Sequence, residues 1–452
     1  MRALHPPKVS ELRGMRFLVY GLARSGTALA RYLVAQGALV WAHDDSPAAL
    51  ESAAVRRLVR SGMKIAERPG RANCDWAVVS PGIPDSSPTI AALRRRGVPV
   101  ADELDLAAHL LGGDTIAVTG TNGKSTTTVL IARMLEAAGN RVFCGGNLAP
   151  GKPLSAALGK PRRDWYVVEA SSFQLERARW FKPRVGVVLN VTPDHLNRHG
   201  SLDRYAECKF RMLDRQDAED TAVLNRDDRV VRRAAQRGDG WKLWFSLESE
   251  VDGAWLRGRD IMFGGSRMAA TPDLKLRGRH NLANALAAVA AAAAVGAGAG
   301  AIRPALRGFA GLEHRIESVR KLRGVEYVNN SMCTNPEAGA KSLEAFERPV
   351  VLIAGGRGKS LPVEPFIAAI TRRARWAILT GENRAELAER LDRAGFGAHE
   401  SAERLGAAVR AAARKARRGD TVLFAPGFAS FDQFADFQAR GRAFKREVAH
   451  LR

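Results

Sequence analysis

Paired cysteines are missing from this sequence. Cys74, Cys144, Cys208 and Cys333 lie far apart, and no two have CxxC spacing. That argues against a disulfide framework or a zinc site and fits free thiols in a reducing cytosol. Long apolar runs are just as scarce. Only Asn281 to Ile302, "NLANALAAVAAAAAVGAGAGAI", goes that far without charge. Its Ala and Gly bury too little apolar area to favour lipid, so a packed internal helix with a Gly-rich end is expected rather than a membrane span. The opening "MRALHPPKVSELRG" is polar, broken by two prolines, and reads as no secretory signal. Acidic residues are also in deficit, 47 against 70 Lys+Arg, for a formal charge of +23. The basic residues are scattered and aromatics are only 7%. With no basic tail and no aromatic-basic platform, nucleic-acid binding is disfavoured. A solvated Arg-rich surface that focuses charge on anionic small molecules accounts better for the excess.

What is present points to a multi-domain α/β protein. The 452 residues exceed one core and suggest two to four domains, and 46% hydrophobic with 26% charged residues is a soluble globular composition. Three segments repeat one plan of apolar strand, Gly-rich turn and helix: "MRFLVYGLARSGTALARYLVAQG", "DTIAVTGTNGKSTTTVLIARMLEAAG", and "RPVVLIAGGRGKS" with the helical pattern after Pro365. Parallel α/β units begin this way. Their separation predicts three α/β domains, 1–105, 106–312 and 313–452.

The three turns differ in what they can bind. In the first, Gly21 and Gly26 are five apart and Ala23 replaces the middle glycine of a dinucleotide fingerprint. Asp44, after the second strand, is placed to accept from nucleotide hydroxyls, although a ligand-free capping turn is the alternative. The second, "GTNGKST", sets Gly120, Thr121, Asn122, Gly123, Lys124, Ser125 and Thr126 between a strand and a helix start. Backbone N–H groups there can cradle phosphate, Lys124 can neutralise it, and a hydroxyl can bind Mg²⁺. It is not a strict Walker A sequence, because Val118 stands five before Gly123 where that motif has Gly. "DWYVVEASSFQLE" ends a strand on Glu169, costly to bury unless paired or bound to a cation, and "VGVVLNVTPDHLNRHGS" follows a strand with Asp194 and His195. Beside a phosphate loop, these groups suit Mg²⁺–nucleotide binding and metal-assisted phosphoryl transfer.

The runs "GTNGKST", "GGNLA", "EASSFQLE", "NVTPDHLNRHGS", "GRHNLANALAA", "EHRIE" and "ASFDQF" together resemble the Mur ligases of peptidoglycan synthesis. "SSFQLE" with "ASFDQF" resembles the glutamate-adding branch. The folylpolyglutamate synthases share the ATP loop but lack a nucleotide-type domain ahead of it. The resemblance implies an N-terminal Rossmann-like UDP-binding domain, a central P-loop-type ATPase with a parallel sheet, and a Rossmann-like C-terminal domain. It implies a cytoplasmic, ADP-forming acid–amino-acid ligase, a monomer that closes around ATP. The reaction implied is ATP-dependent addition of D-glutamate to UDP-N-acetylmuramoyl-L-alanine through an acyl phosphate, with no nucleic-acid partner and no membrane insertion.

The same resemblance assigns residues. Lys124, Ser125 and Thr126 match the phosphate and Mg²⁺ loop, and Glu169 and His195 match metal ligands. Lys209 matches a lysine that the family carbamylates, giving an anionic oxygen ligand for Mg²⁺; without the family it reads as an ordinary surface lysine. Asn281 and Asn284 match adenine-side positions, and Arg315 an arginine on the ATP phosphates. Arg24, Ser25, Asp44 and Ser80-Pro81-Gly82 fall where the UDP part is held, and Asn147 and His195 where the muramoyl part is. Glutamate matches are Thr334, Lys359, Ser430 and Phe437.

One stretch departs from that pattern. "YVNNSMCTNP", Tyr327 to Pro336, should leave a strand for a loop or helix. The family usually reads D-S-K-A-T-N where this chain has Asn330-Ser331-Met332-Cys333-Thr334-Asn335. Asn330 keeps a neutral acceptor beside the ATP ribose, and Met332 removes a cation that Lys359 or Arg357 would have to replace. "APGFAS" stands where "SPACAS" is commoner, and Asn197 where Asp is frequent. The alternatives are the same chemistry with L-glutamate or another amino acid, or a nucleotide- or nucleic-acid-binding protein without turnover.

Overall fold

The run "RFLVY" is apolar on both faces of the strand it forms, β1 (Arg16–Tyr20), as befits a parallel sheet with helices on both sides. A computed structural model describes residues 5–452 except 150, 277, 347, 348, 359 and 360, with Asn197 described through its backbone alone. Among these residues β1 is the central strand of a five-stranded parallel sheet. Its partners are β2 (Leu39–His43), β3 (Lys64–Ile65), β4 (Trp76–Val79) and β5 (Val100–Asp102), in the order β3-β2-β1-β4-β5. The chain runs outward from β1 through β2 to β3, then returns to the other side of β1 with β4. That reversal opens a crevice at the carboxyl ends of β1 and β4, the usual ligand position in such sheets.

The second sheet repeats the plan on a larger scale. It comprises β6 (Thr115–Thr119), β7 (Val142–Gly146), β8 (Trp165–Glu169), β9 (Val185–Val188), β10 (Thr221–Asn225), β11 (Trp241–Ser246), β12 (Gly253–Arg257), β13 (Asp260–Phe263) and β14 (Ser266–Ala270). The order is β14-β13-β12-β11-β10-β9-β6-β8-β7. Strands β7 to β12 pair in parallel, but β13 and β14 are antiparallel. The expected parallel sheet therefore carries an antiparallel edge. The turns are short, with Gly258 and then Gly264-Gly265 at positive φ, which suits two-residue hairpins.

The uncharged stretch expected as one helix forms two, Arg279–Ala294 and Ala299–Gly308. Gly296, at φ 92°, turns the chain between them. The first of the pair is buried along Asn284–Ala292 and packs on the helix Lys124–Ala137, where its alanines allow a close approach. No described helix is long and apolar enough to cross a membrane.

The chain separates into two compact units, Met1–Ala310 and Gly311–Arg452. The first holds both sheets above. The expected division at 105 falls within the helix Glu103–Leu111, which is tied to both sheets. Glu103 Oε1 accepts from Ser155 N at 2.6 Å, and Asp105 accepts from the N–H groups of Arg179 (2.8 Å) and Trp180 (3.0 Å). One apolar cluster runs from Phe17 and Leu29 through Leu104 and Ala107 to Val168, Phe210 and Leu224.

The second unit has a six-stranded sheet: β15 (Glu317–Leu322), β16 (Val325–Asn329), β17 (Val350–Ala354), β18 (Ala374–Thr380), β19 (His399–Ala402) and β20 (Thr421–Phe424). Its order is β15-β16-β20-β17-β18-β19, parallel except for the β15–β16 hairpin. Apolar clusters cover both faces, one around Phe366 and Leu423, the other around Phe424 and Phe444. The stretch from Tyr327 leaves β16, crosses a loop and enters the helix Pro336–Glu344, capped by Asn335, whose Oδ1 accepts from Ala338 N at 2.8 Å.

Candidate active site

The strand β6 ends at Thr119, and the loop from Gly120 to the helix Lys124–Ala137 turns at Gly123, φ 85°. A Cβ at Gly123 would strike the side-chain amide of Asn284, so only glycine admits this close approach of helix and loop. Asn284 is buried and lies 3.4 Å from Asn281 Oδ1 through its Nδ2, which brings both expected adenine-side residues to the back of the phosphate loop. The loop is tied across to the segment after β9. Asn122 N donates to Asn190 Oδ1 at 2.8 Å, and Thr121 Oγ1 to Thr192 O at 3.2 Å. Lys124 Nζ lies over the loop, donating to Gly120 O at 3.0 Å and Thr121 O at 2.8 Å.

Glu169 ends β8, one sheet position from the loop. Its carboxylate is 3% exposed and accepts from Ser125 Oγ at 2.5 Å and from Asn147 Nδ2 at 3.0 Å. A buried carboxylate facing a hydroxyl beside a phosphate loop is the donor set Mg²⁺ takes, because that ion keeps most of its ligands as water or phosphate oxygen. No group of three or more His, Cys, Asp or Glu gathers as a metal site among the described residues. Ser125 and Glu169 are the residues here that could contribute oxygen ligands to a cation.

Lys209 is not the surface residue that its helix position suggests. It is 1% exposed, with Nζ donating to Gly120 O at 2.9 Å and lying 4.3 Å from the Tyr205 ring centroid. Burial first, then the charge of Lys124, pushes its ammonium well below the ordinary lysine range. His195 takes a left-handed backbone, φ 51°, and its ring lies tilted against Phe173 with ring centroids 4.9 Å apart. Its Nε2 is 3.7 Å from Asp194 Oδ2, and the side chain remains partly exposed.

In the first sheet the expected UDP-side residues gather at the β1–β4 crevice. Gly21 follows β1 at φ 100°, and a Cβ there would meet Ser80. Asp44 closes the turn: Oδ2 accepts from Leu22 N at 2.6 Å and Oδ1 from Ser46 N at 2.9 Å. Arg24 and Ser25 open the helix Arg24–Ala35, and Arg24 Nη1 reaches Gly151 O at 2.9 Å. Ser80-Pro81-Gly82 form the turn after β4.

Two arginines from the second sheet grip that turn, and neither stood out in the sequence. Arg177, its side chain 1% exposed, pairs through Nε with Asp85 Oδ1 at 2.6 Å and donates to the carbonyls of Ser80 and Ile83. Arg198 Nη2 donates to the same Ile83 carbonyl at 3.2 Å and to Glu176 Oε2 at 2.7 Å. Arg177 follows the loop that starts at Glu169, and Arg198 follows His195. The loops that carry Glu169 and His195, two of the four candidate metal ligands, are thus fastened to the candidate substrate turn.

In the second unit Arg315 stands between two residues with positive φ, His314 at 66° and Ile316 at 43°. The latter is strained for a β-branched residue. Buried His314 meets Asn329 Nδ2 through Nδ1 at 2.9 Å, and Asn329 Nδ2 also reaches Glu317 Oε2 at 3.0 Å. Arg315 Nε donates to Met332 Sδ at 3.2 Å. Asn330 is committed inward: Nδ2 donates to Ser342 Oγ at 2.6 Å, and Oδ1 accepts from Ile316 N at 3.2 Å.

Of the expected glutamate residues, Thr334 lines a cavity of about 380 Å³ with Pro336, Gly358, Val363, Arg390 and Phe428. Ser430 is buried, and Phe437 stands edge-on to His314 at 6.3 Å; neither lines that cavity. Lys359 lies outside the described residues. Arg357, the other expected replacement cation, pairs with Glu382 at 2.8 Å. Arg440 supports the loop from behind, donating to Ser331 O at 3.0 Å and Phe428 O at 3.0 Å, and burial pushes its guanidinium down to about 10.

Comparison with known proteins places this geometry. Residues 118–292 match the family description "Mur ligase middle domain", and residues 314–428 match "Mur ligase, glutamate ligase domain". The UDP-N-acetylmuramoylalanine–D-glutamate ligase of Myxococcus xanthus is 42% identical over 458 residues, covering 97% of this chain and 99% of that protein. That of Solibacter usitatus is 41% identical over 445 residues, covering 98% and 99%. The crystal structure of UDP-N-acetylmuramate-alanine ligase from Thermotoga maritima aligns with a TM-score of 0.57 at 21% identity, over 96% of this chain and 99% of that one. A murein peptide ligase from Psychrobacter arcticus aligns at 0.53 and 19%, over 97% and 100%.

Proposed function

The chain belongs to the Mur ligase family, and from that premise we propose that it joins D-glutamate to UDP-N-acetylmuramoyl-L-alanine with cleavage of ATP to ADP and phosphate. The convergence of Lys124, Ser125, Glu169 and Lys209 on the phosphate loop carries this reading. A carboxylate is a poor electrophile until it is phosphorylated. The alanyl carboxylate attacks the γ-phosphorus, ADP leaves, and the resulting acyl phosphate is attacked by the glutamate amine. The tetrahedral adduct then expels phosphate as the amide forms.

The residues divide the work by position. Backbone N–H groups from Gly120 to Thr126 hold the phosphates of ATP, and Lys124 moves from the Gly120 and Thr121 carbonyls onto them. Ser125, Glu169, His195 and carbamylated Lys209 would hold Mg²⁺, which when bound offsets charge on the transferring phosphoryl group. The neutral amine that burial favours at Lys209 is the form that takes up CO₂. The Gly21–Ser25 and Ser80–Gly82 turns hold the UDP part of the substrate, with Asp44 closing the first of them, and Asn147 contacts the muramoyl part. Asn281 and Asn284 flank the adenine side, and Arg315 serves the ATP phosphates. Thr334 and its cavity receive glutamate with Lys359, Ser430 and Phe437. The enzyme acts as a cytoplasmic monomer.

Glutamate of either hand fits this chemistry, and the relatives named for the D isomer favour D-glutamate. The deciding measurement is phosphate release with D- and L-glutamate side by side. Release that requires ATP, UDP-N-acetylmuramoyl-L-alanine and D-glutamate together is expected. Faster release with L-glutamate overturns the stereochemistry, and none with any amino acid overturns the reaction.

A further inference from the structure

The helix Leu202–Phe210 has two working faces. Lys209 points to Gly120, while Arg204 and Cys208, with Arg211 just past the helix end, line an open cleft of about 600 Å³ on the other side. Six arginines wall that cleft: Arg94, Arg177, Arg179, Arg198, Arg204 and Arg211. Three carboxylates accompany them, and each is already engaged. Asp85 pairs with Arg94 at 2.7 Å and Arg177 at 2.6 Å. Glu176 pairs with Arg198 at 2.7 Å, and Glu207 turns to Arg237 at 2.7 Å. Arg211 donates to the Glu176 carbonyl, a neutral partner.

Arg179 and Arg204 are different. Among the described residues their guanidiniums make no hydrogen bond or ion pair; only their backbone groups are bonded. Six cations against three committed anions leave a formal excess of three positive charges in one concave site. Concavity focuses such a field, and guanidinium forks match phosphate oxygens two at a time. Arg204 and Arg211 are separated by about 10 Å along the helix axis, a span their long side chains can close around one small anion.

We propose that this cleft is a binding site for a pyrophosphate group, free or singly esterified. Arg179, Arg204 and Arg211 supply the excess charge, and buried Arg177 forms the fixed floor. None of its lining residues is assigned above to touch ATP, the UDP-linked substrate or glutamate. Arg177 and Arg198 hold the Ser80–Gly82 turn only through its backbone carbonyls and Asp85, and the proposal does not depend on the ligase reaction. An anion held there would touch the back of the helix that carries Lys209.

Titration calorimetry on the full chain tests it. Inorganic pyrophosphate and methyl diphosphate are titrated separately, with the phosphate loop first saturated by a non-hydrolysable ATP analogue. The proteins are wild type, an Arg179→Gln/Arg204→Gln double variant, and a control Arg372→Gln/Arg393→Gln whose changes lie in the second unit. Both cleft arginines are exposed, so an unchanged thermal transition is expected. One pyrophosphate site in wild type and the control, weakened at least tenfold in the cleft variant, is the expected result. Equal affinity for methyl diphosphate identifies the esterified source as well as the free one; loss of only that arm restricts the site to free pyrophosphate. No binding in wild type, equal binding in the cleft variant, or an equal loss in the control would overturn the proposal.

Discussion

Lys124 and Lys209 donate to one carbonyl oxygen, that of Gly120, at 3.0 and 2.9 Å. Two full ammonium charges would repel across a shared acceptor in a buried site. The strain is relieved if Lys209 sheds its proton, the direction in which burial already drives it.

Lys209→Ala is therefore expected to lower turnover by roughly a hundredfold or more, the scale of losing a preorganised charge partner. Its melting temperature should hold or rise, because a buried amine is removed. Millimolar acetate or propionate should restore part of the rate by supplying the missing oxygen anion. Steady-state phosphate release checks both effects, and an active variant without additive removes the role.

Asn330→Asp should destabilise the protein rather than improve it. Ser342 Oγ donates its one hydrogen to Ala338 O at 2.6 Å, so it accepts from Asn330 Nδ2. A carboxylate cannot donate there and would face the Ser342 oxygen instead. The expected cost is about 1–3 kcal/mol by urea unfolding, with no gain in turnover.

Met332 matters through Arg315. Met332→Leu keeps the volume but removes the sulfur acceptor of Arg315 Nε, so a loss of about fivefold in kcat with stability nearly unchanged is expected. Met332→Lys places a cation against the guanidinium and should lose more. A Lys variant faster than wild type would show that Arg315 does not need the sulfur.

Arg177→Lys keeps the charge but gives up the planar fork that holds Ser80 O, Ile83 O and Asp85 at once. The turn at Ser80–Gly82 should loosen. KM for the UDP-linked substrate is expected to rise about tenfold while kcat stays within about threefold, the signature of lost ground-state binding. A proportional fall in kcat alone would contradict this.

Asp105 sets a pH dependence. Burial raises its carboxyl from 3.8 to about 6 despite its backbone N–H bonds. Between those values the folded chain holds more protons than the unfolded one. Its contribution is therefore full below about pH 4 and is lost as pH rises through 6, at most roughly 3 kcal/mol. Thermal melts from pH 4 to 7 should show the decline, and Asp105→Asn should reduce it without abolishing it, since burial raises Asp102 and Glu103 in the same direction.

Much of this was legible in sequence. The three strand–turn–helix openings stand out because a short apolar run followed by glycine and helical spacing has few other uses. Gly123, Lys124 and Ser125 declare themselves locally, since a phosphate loop is built from consecutive backbone groups. Arg177 does not, because its partner Asp85 is 92 residues away and an isolated arginine reads as surface. Lys209 looked exposed for the same reason: its burial depends on Gly120 and Tyr205, not on its neighbours. The β13–β14 hairpin went unread because Gly264-Gly265 signals a turn without saying which sheet its strands extend.

The buried bonds of Glu103 and Asp105 to Ser155, Arg179 and Trp180 also bear on how such chains can recombine. A chimera taking residues 1–105 from one relative and the rest from another would cut through a dry seam of carboxylates and amides. Unless both sides of that seam travel together, the graft inherits unsatisfied acids in its interior. Natural exchange of the first sheet should therefore carry the segment through Phe181 as a block.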